Sequence, residues 1–289
     1  MKVTGFTFIR NALIYDYPVV EAILSILPIC DTFVVAVGNS DDATLDLIAQ
    51  IDPAKIRIIE TIWDDSLREG GKVLALETDK AYKGIADDTD WAFYIQGDEV
   101  IHEKYLESIK NAMLRWKDHP EVDGLLFDYL HFYGSYDYIG SSSNWYPQEI
   151  RIIRKNENIY SFRDAQGFRK LNNQKLRVKS VDACMYHYGW VKDPSAMQRK
   201  QENFHKLWHP DNWLEKNVVK ADEFDYSGID ALEKFEGTHP AVMLDRINKK
   251  NWKFDYDIAY SNLSLKDRFK VLLKKYARIE FGYKNYIKI

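Results

Sequence analysis

The chain between positions 91 and 99 reads WAFYIQGDE, an apolar run that ends in polar and acidic residues. Five apolar residues in succession, Trp91 to Ile95, predict a short strand buried on both faces, as in a parallel sheet. Open α/β sheets bind ligands beyond the carboxyl ends of their strands, so Gln96 to Glu99 lie where a site is expected. Carboxylates there suit a divalent cation such as Mg²⁺ or Mn²⁺, but they equally suit the start of a following helix.

The residues around this strand alternate short apolar runs with helical patterns, which predicts βαβ units. Earlier strands are predicted at 3–9, 33–37 and 56–59. Helices are predicted after Pro18, around Leu45 to Ile48, after Gly71 and over 105–116. The predicted fold class is therefore α/β, with a Rossmann-type, mostly parallel sheet flanked by helices.

The second half of the chain changes character after about residue 120. Strands are predicted at 124–133 and 150–154, with a further pair within 177–188. Helices are predicted at 195–208, 240–248 and 264–279. Residues 209–240 are polar and irregular, which is typical of a lid or of an exposed connection.

We expect one main domain over residues 1–240, with halves at 1–115 and 116–240, and a C-terminal helical extension over 241–289. The extension is basic, because residues 264–289 contain eight Lys or Arg and two acidic residues, whereas the whole chain has a formal net charge of -4. Apolar residues of this segment fall on one helical face. The helix is therefore expected either to dock on the domain or to lie on an anionic membrane surface.

Composition excludes several classes of protein. With 46% hydrophobic and 29% charged residues among 289, the chain is typical of a soluble globular protein. Its 40 basic and 44 acidic residues do not favour nucleic-acid binding. No segment has the pattern of a leader or of a membrane span, and the two cysteines are far apart. We expect a cytoplasmic protein, either free or in peripheral contact with the inner face of the membrane.

Aromatic residues make up 14% of the chain, and several stand among polar neighbours. Examples are Trp145-Tyr146 and the run from Tyr186 to Trp190. Aromatic faces with a polar rim suit sugar rings. The alternative is that these side chains fill the core and its edges.

The order of these features resembles the family 2 glycosyltransferases, which have the GT-A fold. In that family the second strand leads into a Gly-Ser-Thr-Asp-Gly-Thr type turn, which residues 39–44 resemble. The fourth strand of the family ends in an Asp-x-Asp metal motif, and Asp98 matches its last aspartate. Gln96 takes the place of the first aspartate. The resemblance covers about residues 1–115.

The resemblance implies transfer of a sugar from a nucleotide-diphosphate donor, with UDP favoured, to a saccharide or lipid-linked acceptor in bacterial polysaccharide or lipopolysaccharide biosynthesis. Residues 1–115 would bind the nucleotide-sugar and 116–240 the acceptor. A Mn²⁺ or Mg²⁺ ion would be held by Asp98 and His187. The donor would be held by Arg10, Asn11, Asn39, Asp41, Asp42, Gln96 and Asp98. For the Asp41-Asp42 pair, a helix-capping turn is the alternative.

An inverting transfer also requires a carboxylate that takes the proton from the acceptor hydroxyl. Asp164 is the first candidate, because it lies in a predicted loop after the strand at 150–154. Glu149 is the second candidate, because its aromatic neighbours could pack against one face of an acceptor sugar. Asp128 and Asp182 are further alternatives.

Two other functions stay open at this point. A nucleotidyltransferase of related architecture would carry a Gly-rich, basic loop after the first strand, where this chain has Arg10-Asn11-Ala12. The glycine patterns of dinucleotide-binding enzymes and of P-loop kinases are also absent from that turn. A non-catalytic nucleotide- or sugar-binding protein would use the same aromatic surface without a base.

Overall fold

The computed structural model describes residues 1–218, 220–264, 266–270 and 284–289. Its strands are β1 Val3–Ile9, β2 Thr32–Gly38, β3 Ile56–Thr61, β4 Trp91–Tyr94, β5 Glu99–Ile101, β6 Gly124–Tyr133, β7 Tyr138–Gly140, β8 Gln148–Arg154, β9 Ile159–Phe162, β10 Gly167–Lys170, β11 Gln174–Trp190, β12 Leu232–Lys234 and β13 Tyr286–Lys288. Its helices are α1 Val19–Ile26, α2 Thr44–Ala49, α3 Lys72–Lys83, α4 Leu106–Trp116, α5 Pro194–Lys206, α6 Asp211–Asn217 and α7 Leu244–Asn248.

The central sheet has the strand order β3-β2-β1-β4-β8-β6-β11-β10-β9. The first four strands are parallel to one another. Strand β8 is antiparallel to both β4 and β6, so β6 runs in the direction of β4, and β11 pairs parallel with β6. The carboxyl ends of β1, β2, β4, β6 and β11 therefore lie at one edge of the sheet.

Helices cover both faces of the parallel half of the sheet, because the side chains of β2 are buried alternately on one face and on the other. Phe33 and Val35 point into a core with α1, α2 and α4, whereas Val34 and Ala36 point into a second core with α3. All four side chains are at most 3% exposed. A strand buried on both faces reads as a continuous apolar run, which is why the parallel half could be predicted. The α/β class with helices on both sides of the sheet is confirmed.

The structure differs at three places from what the sequence predicted or left open. Residues 177–188 form part of one long strand, β11, which pairs with β10 and β13 at its beginning and with β6 and β5 farther along. No helix begins directly after Asp98, because Glu99 opens the short strand β5, which pairs with β11, and α4 begins only at Leu106. Residues 209–240, predicted to be irregular, contain α6 and β12.

The predicted C-terminal helix at 264–279 lies largely outside the described residues. Residues 266–270 are helical, and β13 at the end of the chain adds a parallel strand to β11. Among the residues that the structure describes, no helix has the length and apolar character needed to cross a bilayer. The division into a main domain and an extension stays a prediction.

Candidate active site at the carboxyl edge of the sheet

The loops that follow β1, β2 and β4 meet at the carboxyl edge of the sheet, because these strands are parallel neighbours. Each predicted donor-binding residue lies in one of these loops. His187 lies within β11, and not after a strand as predicted, but it reaches the same place from the other side. The structure therefore brings together side chains from both halves of the chain.

Asn11 and Asp41 join the loops after β1 and β2. Asn11 Nδ2 donates to Asp41 Oδ2 at 3.2 Å, and the Asp41 backbone N–H donates to Asn11 Oδ1 at 2.7 Å. Asn11 adopts a φ of 53°, a conformation that Asn tolerates better than most residues. Asp42 accepts hydrogen bonds from the backbone of Leu13 and Ile14 at 3.0 and 2.9 Å. Asp42 thus stabilises the loop, whereas Asp41 is exposed at its rim.

Arg10 and Asn39 hold the loop after β3 against this pair of loops. Arg10 Nε donates to the Asn39 carbonyl at 2.9 Å, and its Nη1 donates to Asp65 Oδ1 at 2.6 Å. The Trp63 backbone N–H donates to Asn39 Oδ1 at 3.1 Å. The Trp63 ring also lies 5.6 Å from the Arg10 guanidinium. Trp63 and Asp65 were not predicted as site residues, although they too follow a parallel strand.

Asp98 is a buried carboxylate whose counter-charge is a lysine. Lys200 Nζ, from α5, lies 3.2 Å from Asp98 Oδ2 and donates to the Gly189 carbonyl at 2.9 Å. His187 Nε2 lies 3.8 Å from Asp98 Oδ1. Burial alone would raise the pKa of Asp98, but Lys200, His187 and Lys192 lower it to about 2. Asp98 is therefore an anion at neutral pH.

A second lysine, Lys192, is fully buried behind the first. Its Nζ donates to the Asp16 carbonyl at 2.5 Å and lies 4.6 Å from the centre of the Tyr17 ring. Lys200 Nζ lies 5.0 Å from the same ring. Burial lowers the pKa of Lys192 to about 7, and the neighbouring charge of Lys200 acts in the same direction. No motif marks either lysine in the sequence, because only the fold brings α5 to the end of β4.

Gln96 connects the end of β4 to the turn that carries Asp164. Its Nε2 donates to the Ala165 carbonyl at 3.3 Å, and Asp164 is the preceding residue of that turn. Asp164 is partly exposed and packs against Gly71 at the start of α3, where a Cβ would lie 2.8 Å from the Asp164 Cβ. Burial raises the pKa of Asp164. Asp164 thus lies in a turn that the Gln96 side chain joins to the end of β4.

Glu149 also lies near this edge, at the start of β8, but it is enclosed. The side chain is 5% exposed, and its Oε2 has no hydrogen-bond partner. Burial raises the pKa of Glu149 to about 8, against the opposing effect of Arg151. Asn285 Nδ2 is likewise buried without a partner, and a Cβ on Gly167 would lie 2.7 Å from it and 3.1 Å from Glu149 Oε2. The site of Glu149 therefore favours the neutral carboxylic acid.

Asp128 and Asp182 lie within strands, away from the loops of the carboxyl edge. Asp128 is in β6 and accepts a hydrogen bond from Gln148 Nε2 at 2.6 Å. Asp182 is in the bulged part of β11, and its carbonyl accepts from Ser108 Oγ at 2.9 Å. Neither residue lies with the predicted donor-binding side chains.

Glu99 forms a buried ion pair that the sequence analysis missed. Its carboxylate accepts two hydrogen bonds from Arg151, at 2.9 and 2.7 Å, and one from the Tyr129 hydroxyl at 2.7 Å. Glu99 and Arg151 are at most 1% exposed. Burial alone would lower the pKa of Arg151, but Glu99 raises it well above its usual range. This pair fixes the backbone of the Asp98 loop, because the Gln96 N–H also donates to Glu99 at 3.0 Å.

An aromatic wall extends from His187 away from the donor loops. His187 Nδ1 lies 3.1 Å from His131 Nδ1, and the Trp145 ring stacks on His131 with centroids 5.0 Å apart. Tyr146 meets His131 edge-on at 4.3 Å. Burial lowers the pKa of His187, although Asp98 opposes this shift. The wall therefore consists of buried or half-buried rings that pack against one another.

A groove of about 530 Å³ lies beyond this wall. Tyr133, at the end of β6, contacts both Trp145 at 6.3 Å and Tyr226 in the groove at 5.4 Å between ring centroids. The Tyr226 hydroxyl donates to the Lys192 carbonyl at 2.9 Å. The groove is lined by aromatic and acidic residues, among them Phe224, Asp225, Phe254, Asp255, Tyr256 and Tyr260. One lining residue, Tyr226, thus contacts the segment that follows β11.

The predicted cation ligands, Asp98 and His187, are neighbours, with His187 Nε2 3.8 Å from Asp98 Oδ1, but the carboxylate already has a counter-charge. Asp98 is paired with the Lys200 ammonium, and Gln96 is a neutral amide that donates to Ala165. Across the part of the chain that the structure describes, no three His, Cys, Asp or Glu side chains are grouped as a metal site. A cation at Asp98 would lie close to the Lys200 ammonium, and like charges repel in a buried site.

The chain matches no family model, and no curated protein sequence matches it. Solved structures do match. The 1–349 form of S. aureus TarS in complex with UDP is 14% identical with a TM-score of 0.40, over 77% of this chain and 68% of that chain. In the match to S. aureus TarS itself, at 15% identity and a TM-score of 0.39, the chain spans 41% of the length of that protein.

Two further structures show the range of similar proteins. Glucosyl-3-phosphoglycerate synthase from Mycobacterium tuberculosis, in complex with Mn²⁺, UDP and phosphoglyceric acid, is 13% identical with a TM-score of 0.29, over 45% of this chain and 43% of that one. The 4-diphosphocytidyl-2C-methyl-D-erythritol synthase from Anaerococcus prevotii is 14% identical with a TM-score of 0.37, over 66% of this chain and 91% of that one. At such identities the likeness is one of backbone alone.

Proposed function

We propose that this protein is an inverting glycosyltransferase that moves a sugar from a nucleoside-diphosphate sugar to a saccharide acceptor. The observation that supports this proposal is the order of groups along one edge of the sheet. Polar side chains that suit a nucleoside come first, at Asn11 and Asp41. The Lys200 ammonium, which suits a diphosphate, follows with Lys192 buried behind it, and Asp164 lies in the turn that Gln96 joins to the end of β4.

The nucleoside end is assigned to the loops after β1 and β2. Asn11 and Asp41 present an amide and a carboxylate in one hydrogen-bonded unit, and such a unit suits the donor and acceptor edges of a base or the hydroxyls of a ribose. Arg10 and Asn39 support this unit through the loop after β3. UDP is the donor nucleotide that we propose on the strength of the sequence resemblance.

Asp164 is the base that we propose. It takes the proton from the acceptor hydroxyl while that oxygen attacks the anomeric carbon, and the bond from this carbon to the diphosphate breaks on the opposite side. The electron pair of the broken bond leaves with the diphosphate. Because the acceptor oxygen attacks from the side opposite to the diphosphate, the configuration at the anomeric carbon is inverted. Glu149 is less suited to this step, because a carboxyl group with a pKa of about 8 holds its proton at neutral pH.

The groove beyond the aromatic wall is the acceptor side in this proposal. Aromatic faces such as those of Tyr256 and Tyr260 pack on sugar rings, and carboxylates such as Asp255 accept hydrogen bonds from sugar hydroxyls. A saccharide, free or linked to a lipid, as in cell-surface polysaccharide assembly, is the acceptor class that fits this lining.

The experiment is a transfer assay with a panel of nucleotide-sugars and saccharide acceptors, together with calorimetry of donor binding. The Asp164→Asn variant should lose about 100-fold or more in transfer rate and keep its donor affinity, as expected for loss of a general base. Asp87→Asn is the matched control, because Asp87 is fully exposed at the opposite edge of the sheet.

The outcomes separate the alternatives. Full activity in Asp164→Asn would exclude this residue as the base. Donor binding without turnover of any sugar would indicate a non-catalytic binding protein. Release of pyrophosphate from a nucleoside triphosphate would indicate a nucleotidyltransferase instead.

A further inference from the structure

The positive charge next to the Asp98 carboxylate is already supplied by a side chain of the protein, that of Lys200. Lys200 Nζ bonds to both Asp98 Oδ2 and the Gly189 carbonyl, and its side chain is only 11% exposed. A lysine held by two acceptors in a nearly closed position is fixed in place, unlike a mobile surface lysine. Asp98 and Lys200 together carry no net charge, so the pair does not attract a second cation.

The residue at the other end of the loop strengthens this point. Gln96 stands where the resemblance expects the first aspartate, and its amide donates to the Ala165 carbonyl. Mg²⁺ and Mn²⁺ prefer carboxylate oxygens in a nearly regular arrangement of six ligands. The loop after β4 thus offers one carboxylate that is already paired with a lysine, and the buried amine of Lys192 lies behind it.

Given the proposed function, we propose that Lys200, with Lys192 behind it, takes the place of the divalent cation, so that this protein binds the diphosphate of its donor without metal. Tyr17 connects the two lysines to the nucleoside end, because its ring contacts both ammonium groups and it lies in the same loop as Asn11. One donor molecule lying along this loop meets both parts of the site.

The same arrangement would also stabilise the leaving diphosphate. When the bond between the anomeric carbon and the diphosphate oxygen breaks, that oxygen keeps the electron pair and gains a negative charge. An ammonium already positioned beside it stabilises this charge without rearrangement. A lysine binds phosphate as a point charge through its three N–H donors, and this requires no metal ion.

The test is calorimetric titration of the full chain with UDP, GDP, CDP and ADP, each in excess EDTA and in excess Mn²⁺. We expect the preferred diphosphate to bind equally well, within about twofold, under both conditions. Lys200→Gln should weaken this binding in EDTA by about 10- to 100-fold, as expected for loss of a charged hydrogen bond. Lys206→Gln, an exposed lysine on the same helix, is the matched control and should bind like the wild type.

The wild-type comparison needs no variant and so does not depend on whether Lys200→Gln folds, which its melting temperature will show. Binding in Mn²⁺ that disappears in EDTA would overturn this inference and leave the proposed function in place. Tighter binding by Lys200→Gln in Mn²⁺ would also overturn it, because the lysine would then be a competitor of the metal. No binding of any nucleotide in either condition would overturn the proposed function, and this inference with it.

Discussion

The buried carboxyl group of Glu149 should make the stability of this protein fall as the pH rises. Burial raises the pKa of Glu149 from 4.5 to about 8 in the folded protein. Between these pH values the folded protein keeps the proton, whereas the unfolded chain releases it. The free energy of unfolding should therefore decrease with rising pH, by about 1.4 kcal/mol per pH unit from this group alone.

Glu149→Gln isolates this effect, because the amide stays neutral at every pH and has nearly the same shape. The stabilisation by the protonated group is complete below about pH 4.5 and is lost as the pH rises through about 8. The variant should consequently gain stability relative to the wild type as the pH rises, by about 3 to 4 kcal/mol between pH 5 and pH 8. The gain should be largest at the alkaline end.

The assay is urea unfolding of both proteins at pH 5, 6, 7 and 8, from which the difference in free energy is taken at each pH. Taking the difference removes the contribution of all other titrating groups. Glu157→Gln, at an exposed carboxylate, is the matched control and should differ from the wild type by a constant amount. A difference between Glu149→Gln and the wild type that stays constant, or that shrinks with rising pH, would refute this reasoning.

Three further predictions concern the remaining parts of the site. Arg151→Met should destabilise the fold by about 3 to 5 kcal/mol in urea unfolding, because it leaves the Glu99 carboxylate buried without its cation. A loss below about 1 kcal/mol would show that water hydrates the Glu99 carboxylate in the variant. Asp98→Asn should keep nucleoside diphosphate binding in EDTA, because Lys200 remains, and loss of binding measured by calorimetry would contradict this. Tyr260→Ala should raise the KM for the acceptor several-fold at unchanged donor affinity, because Tyr260 lines the groove and is 52% exposed; an unchanged acceptor KM would place the acceptor elsewhere.

The parallel half of the sheet could be predicted because its strands are simple to recognise. The predicted bounds of β1 and β6 agree with the structure, and α1 begins directly after Pro18. The segment that forms β11 was harder to predict, because the exposure of its side chains changes along its length as its partner strands change. An irregular pattern of this kind does not indicate one strand or two.

The candidate site was predictable only where it lies directly after a strand. Residues of the β1, β2 and β4 loops share one edge by topology, so Asn11, Asp41 and Asp98 could be named together. Lys200 lies on a helix about a hundred positions away, and no local pattern connects it to Asp98. Burial could not be read from the sequence either, and it is burial that distinguishes Glu149 from Asp164.

Strand β11 carries both ends of one long excursion of the chain. The chain leaves β11 at Trp190 and returns to pair with its beginning at Tyr286, opposite Leu176. Lys192, Lys200 and the acceptor groove all belong to this excursion, whereas Asn11 and Asp41 do not. Because β11 has 17 residues and a strand rises about 3.3 Å per residue, these two anchor points lie up to about 45 Å apart, and any replacement of the excursion has to span the whole strand to keep both of them.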